Sequence, residues 1–141
     1  MNGRVLVDTG PLVAILSRAD EHHAACVKAL HQLPAPLLCC WPVITEAAWL
    51  LRSHPRAVQQ LLRSCFSEKP GGFLEILSLS GADASAIAAV MKHYEDIRPQ
   101  LADAALVYLA EREGIDTIFT LDRRDFRGYR SARKRPFRIV H

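Results

Sequence analysis

The chain lacks any apolar run of about 20 residues, the length a membrane-spanning helix requires. Its beginning, with Arg4 and only three apolar residues before Asp8, is too short and too polar for a secretory signal, so a cytoplasmic protein with no membrane contact is expected. Cysteine is sparse. The four cysteines, Cys26, Cys39, Cys40 and Cys65, form no CxxC pair and have no histidine pair at zinc spacing, so they read as small buried apolar residues of a reducing compartment. His22-His23 stands without a nearby cysteine or an HExxH pattern and reads as a solvated helix start. There is no internal repeat, low-complexity tract or linker, and 141 residues suffice for one domain, 1–141, with a core of its own.

Net charge is also small, at +3, but it is unevenly spread. Eight of the eighteen basic residues fall in the last nineteen positions: Arg123, Arg124, Arg127, Arg130, Arg133, Lys134, Arg135 and Arg138. Asp125 is the only acid in 123–138, which leaves ten bases against fourteen acids in the rest of the chain. A mildly acidic body with a basic end would attract a polyanion, and Arg123, Arg124, Arg133, Lys134 and Arg135 are the candidate contacts to it; a merely solvated basic surface is the alternative.

Apolar runs and helical periodicities alternate along the chain. Strands are expected at 4–8, 37–41, 73–79, 117–121 and 137–140, with Pro42 ending the second. Helices are expected at 11–16, at 21–32 with Ala25, Leu30 and Leu33 inward, through Val43, Ile44, Ala47, Ala48 and Leu51, and at 55–65 with Val58, Leu61 and Leu62 inward. Ile87, Val90, Met91 and Tyr94 recur at helical spacing, 101–113 is apolar nearly all round with Gly114 as its stop, and a short helix is expected at 124–129. This alternation predicts an α/β fold whose mostly parallel sheet of about five strands is covered on both faces.

Four acids occupy positions that such a layout gathers. Asp8 and Asp122 follow strands, while Glu46 and Asp103 lie near helix starts. Taken singly, Asp103 would serve as an N-cap, Asp8 as an Asx-turn residue and Asp122 as the cap of the next turn. Taken together, carboxylates in one pocket repel each other, and either proton uptake or a bound cation relieves the repulsion. Mg²⁺ or Mn²⁺ suits hard oxygen ligands and supports in-line phosphoryl displacement. Thr9 and Thr120 stand beside the first and last acids, where their hydroxyls would hold a water or a phosphate oxygen, or serve simply as β-branched strand residues.

Val7-Asp8-Thr9, Glu46, Ala102-Asp103-Ala104-Ala105 and Thr120-Leu121-Asp122-Arg123-Arg124-Asp125-Phe126 together resemble the PIN-domain ribonucleases, in particular the VapC-type toxins of toxin–antitoxin modules. The resemblance spans residues 5 to about 140. It implies a three-layer α/β/α domain in which Asp8, Glu46, Asp103 and Asp122 bind Mg²⁺ or Mn²⁺ and Thr120 supplies the hydroxyl beside the last acid. The implied activity is endoribonucleolytic cleavage by metal-activated water. Thr9 and Asp125 are accessory candidates, and a structural role is favoured for Asp125 and Asp96. The resemblance also implies a homodimer neutralised by a cognate antitoxin, with Trp49 and Leu50 either in a partner groove or in the core.

Other readings compete with this one. An aspartyl phosphatase of the haloacid dehalogenase type needs a second Asp two residues after Asp8, where Gly10 stands, and a downstream lysine, which 93–133 lacks. A non-catalytic metal- or RNA-binding domain and a housekeeping nuclease without an antitoxin remain as alternatives, since fold does not dictate function.

Overall fold

The computed structural model describes residues 3–141. Five short strands, β1 (Leu6–Val7), β2 (Leu37–Cys39), β3 (Leu74–Ile76), β4 (Thr117–Phe119) and β5 (Arg138–Val140), pair in the order β3-β2-β1-β4-β5. Every pairing is parallel. All residues of the inner strands β1, β2 and β4 are buried, which requires helices on both faces, whereas the edge strands β3 and β5 are partly open.

The helices are α1 (Thr9–Leu16), α2 (His23–Gln32), α3 (Trp41–Leu50), α4 (Pro55–Arg63), α5 (Ala84–His93), α6 (Leu101–Glu113) and α7 (Arg123–Gly128). The apolar α6 is the most deeply embedded, with Ala102, Ala104, Ala105, Leu106, Val107, Leu109 and Ala110 buried. It ends at Gly114, whose φ of +71° places it in the left-handed region that glycine enters without steric cost. Before β3, Gly72 passes so close to the Phe66 carbonyl that a Cβ there would lie 1.9 Å from its oxygen.

The expected elements are all present, with shifted ends. The second strand stops at Cys39 because Pro42 falls in the first turn of α3, where the missing N–H costs nothing, and Trp41 becomes helical and exposed. The first helix starts at Thr9 because Asp8 caps it. In α2 the inward residues are Cys26 and Ala29, with Ala25 exposed, and in α4 Leu61 points inward while Leu62 is half exposed. His22 is exposed as expected, but His23 is partly buried, with Nδ1 2.8 Å from the Ala14 carbonyl oxygen. All four cysteines are free, three of them buried and Cys65 partly so.

Candidate active site

The strand order places a topological switch point between β1 and β4: the chain leaves β1 toward β2 on one side and later returns to β4 on the other. Open parallel sheets bind their ligands outside the carboxyl ends of the strands at such a point. Asp8 and Thr120 are the residues that immediately follow these two strands. Thr120 is fully buried, and its hydroxyl donates to Asp8 Oδ2 at 2.8 Å while accepting the Asp122 N–H at 2.9 Å. One side chain therefore ties both strand-end acids into a fixed arrangement. The other Asp8 oxygen accepts the Thr9 N–H at 2.8 Å, which caps α1.

Asp103 and Glu46 approach from the helices. Asp103 lies in the first turn of α6, where Oδ2 accepts the Gln100 N–H at 3.3 Å in a capping box, so it is the third helical residue rather than the cap itself. Glu46 projects from the middle of α3. Asp122 caps α7 by accepting the Asp125 N–H at 3.1 Å. These four acids, with Asp125, Thr9 and Arg98, border a cleft of about 480 Å³.

The acids perturb one another. Burial pushes Asp8 up to about 6; the negative charges of Glu46 and Asp122 add to this, against the opposing pull of the Thr9 N–H and Thr120 hydroxyl. Burial likewise raises Asp103 to about 6, joined by the field of Asp8 and then of Asp122 and Asp125, with the Gln100 N–H opposing. Glu46 is raised by burial and by Asp103, and Asp125 by burial and by Asp122. Among the described residues no arginine, lysine or histidine forms an ion pair with any of the five; the ion pairs involve Glu21, Asp83 and Glu113 instead.

A divalent cation would relieve this repulsion, and the donor set suits one that keeps part of its water. Among the described residues no three acid, histidine or cysteine side chains converge tightly enough to chelate an ion directly. Mg²⁺ and similar ions are held by one or two carboxylates and retain several waters. Among the described residues two buried side-chain oxygens lack partners, Thr9 Oγ1 and the Tyr129 hydroxyl, at a typical cost of about 1–3 kcal/mol each. Thr9 borders the cleft. Tyr129 is raised strongly, by burial first and then by Asp103, Asp125, Asp122 and Asp8, so it stands in the field of the same acids.

Asp8, Glu46, Asp103, Asp122 and Thr120 thus come together as the sequence suggests. Thr9 opens a helix rather than ending a strand, and Asp125, for which a structural role was favoured, faces the cleft while its own N–H is the group being capped. Asp96 is exposed in the turn after α5 and does not border the cleft. Arg123 and Arg124 are exposed on α7 beside Asp122.

Arg133, Lys134 and Arg135 lie elsewhere. They belong to the turn before β5, where the Ala132 N–H donates to the Ile115 carbonyl ahead of β4 and the Arg133 N–H donates to Glu111 at 3.0 Å. Because β5 runs parallel to β4, residues that precede it meet the amino end of the sheet, opposite the acids. Sequence clustering conceals that separation. Trp49 and Leu50 are exposed, at 62% and 51%, which removes the core alternative for both. Arg98, Gln100 and Tyr129 escaped the sequence reading because none carries a motif; only packing places them beside the acids.

The PIN domain family model matches residues 5–131. Ribonuclease VapC26 of Mycobacterium tuberculosis is 29% identical over 136 residues, covering 96% of this chain and 99% of the relative. The crystal structure of Mycobacterium tuberculosis VapC20, described as a sarcin-ricin loop cleaving toxin, superposes with a TM-score of 0.70 at 14% identity, over 81% of this chain and 86% of that one. The match over most of the chain, the all-parallel five-stranded sheet and the acids at its switch point lead to one conclusion: this chain belongs to the PIN-domain family.

Proposed function

We propose that the protein is a Mg²⁺- or Mn²⁺-dependent endoribonuclease that acts as the toxin of a toxin–antitoxin pair. The observation that carries this reading is the group of five carboxylates at the switch point, none of which forms an ion pair among the described residues. Likeness to a named ribonuclease over nearly the whole chain supports the substrate class.

Asp8, Asp103, Glu46 and Asp122 would hold the cation, with Asp125 as a further oxygen donor. A bound divalent cation supplies the charge that activates water and stabilises the oxygens of a phosphodiester under in-line attack. The chain's own residues prepare the place. Thr120 holds Asp8 in one orientation, the Gln100 N–H holds Asp103, and the backbone of α7 holds Asp122. Preorganised ligands of this kind need no rearrangement when substrate enters.

A cognate antitoxin and a second copy of the chain complete the reading. Trp41, Trp49, Leu50 and Leu101 are each more than half exposed, and this apolar face is where a second copy would pack. Sedimentation of the purified chain is expected to give a dimer, and Trp49→Arg a monomer.

The central test is RNA cleavage with and without metal. Purified protein should cut a structured RNA only with added Mg²⁺ or Mn²⁺, and Asp8→Asn and Asp103→Asn should not cut. Equal cleavage by these variants, or by the native protein in excess EDTA, would sink the metal-nuclease reading; metal-tight RNA binding without turnover would favour the non-catalytic alternative.

A further inference from the structure

Among the described residues that line the cleft, Arg98 is the one basic side chain, and it forms no ion pair. Arg98 borders the cleft with Asp8, Glu46, Asp103, Asp122 and Asp125, yet forms no ion pair with any of them. An exposed arginine facing five carboxylates would ordinarily close onto one of them, because a bidentate guanidinium–carboxylate contact is among the strongest exposed pairings. Its backbone is unusual as well: φ is +58°, in the left-handed region that a non-glycine residue occupies only with strain. The Arg98 N–H closes a turn onto the Glu95 carbonyl at 3.1 Å, and the following Pro99 is buried, so both flanks of the residue are anchored. Arg133 and Lys134 share this conformation at the other end of the sheet, so it marks a residue fixed by its surroundings and not by itself a site.

We propose that Arg98 is the phosphate anchor of the cleft, a guanidinium held off the carboxylates so that it binds a non-bridging oxygen of the RNA backbone. The inference rests on the nuclease reading above and adds to it a substrate-binding residue. Five acids repel a polyanion even when a cation offsets part of their charge, and a single arginine at the rim supplies the attraction where the strand must enter. A guanidinium matches two phosphate oxygens in one plane, which an ammonium does not. Pairing with an acid would cancel both functions, since it would mask the anchor and occupy a metal ligand.

The test compares Arg98→Gly and Arg98→Lys with the native side chain, in a background of Asp103→Asn with Mg²⁺ so that a labelled RNA stem–loop is bound but not cut. Glycine accepts the left-handed backbone, so Arg98→Gly should melt at the same temperature or higher, and misfolding cannot explain a loss of binding. The expected result is an RNA affinity about 10-fold weaker for Arg98→Gly, with the dependence of log K on log salt flattened by about 0.7–0.9, the loss of one phosphate contact. Arg98→Lys should restore the salt slope but only part of the affinity. In the otherwise native enzyme, Arg98→Gly should raise KM with little change in kcat, and Mn²⁺ affinity measured calorimetrically should stay within about 2-fold. Unchanged RNA affinity and slope would overturn the assignment. So would a marked gain in Mn²⁺ affinity without loss of RNA binding, which would make Arg98 a resident counter-ion of the acids. If the native chain neither binds nor cuts RNA, the nuclease reading itself fails; if it does both and Arg98→Gly is indistinguishable, only the anchor fails.

Discussion

The two ends of the sheet surround their acids differently, three of them bordering a cleft at the amino end and five at the carboxyl end. At the amino end Glu113 meets Arg4 at 3.1 Å and Arg112 at 2.9 Å, and these partners hold its carboxyl below the usual range. Glu111 accepts the Arg133 N–H nearby, in a cleft of about 690 Å³ that also includes Asp116 and Arg135. At the carboxyl end, Asp8, Glu46, Asp103 and Asp125 form no ion pair among the described residues and all are raised, Asp125 against the opposing pull of Arg124. Cavity size alone favours the amino end. Charge balance separates the two: paired carboxylates tie the chain together, whereas those gathered at the switch point repel one another.

Removing an acid from each end gives the largest contrast. Asp103→Asn should lower metal-dependent RNA cleavage by more than about 100-fold, beyond the roughly 10–100-fold typical of losing an outer-shell partner, while Glu111→Gln should leave it unchanged. A comparable loss in both variants, measured by gel under single-turnover conditions, would erase the distinction.

The pH dependence of stability should also differ in sign. Asp8 has its folded pKa raised from 3.8 to about 6, so between those values the folded state binds more protons and stability in EDTA falls as pH rises. Two units correspond to about 3 kcal/mol, present as a penalty above pH ~6 and absent below pH ~4. Glu113, with a lowered pKa, acts in the opposite direction: its contribution is present above its unfolded pKa and disappears as pH falls through the folded value. Urea denaturation across pH 4–8 should show Asp8→Asn flattening the fall, and saturating Mn²⁺ should offset it in the native chain.

Thr120→Val sharpens the comparison within the carboxyl end. It removes the donor to Asp8 and the acceptor of the Asp122 N–H, at an expected cost of about 1–3 kcal/mol, with Mn²⁺ binding weakened about 10-fold. Replacement by serine should restore both; if valine leaves metal affinity unaltered, Thr120 serves the fold alone.

The smallest effect is expected from replacing Arg133, Lys134 and Arg135 together by glutamine. Cleavage at saturating RNA should be unchanged, while RNA binding weakens and its salt slope flattens by at most about 2. An unaltered slope would show that the amino-end bases are merely solvated and that RNA stays at the other end.

Much of this site was legible before folding was considered. Asp8 and Asp122 stand at the ends of apolar runs, and Asp103 is the only charge in the first ten residues of an otherwise apolar α6, so their placement follows from periodicity. For Asp125 the spacing suits both a cap and a capped residue, and the Asp122 carboxylate on its N–H shows that it is the capped one, while its side chain borders the cleft. The basic run divides in space in a way its spacing does not show. Because β5 is parallel to β4, the chain must return from the carboxyl end of β4 to the amino end of β5, and that crossover through α7 carries Arg133 away from the acids.

The sequence by itself determined the alternation of strands and helices, the family resemblance and the identity of the acids, because apolar periodicity and short-range capping are local properties. Tertiary structure alone decided which charges go unanswered. Whether a carboxylate finds a cation depends on residues far away in the chain: Arg4 reaches Glu113 across 109 positions, Thr120 reaches Asp8 across 112, and Arg98 stands beside five acids without pairing with any. Those long-range placements follow from strand order and backbone direction, which no local pattern encodes.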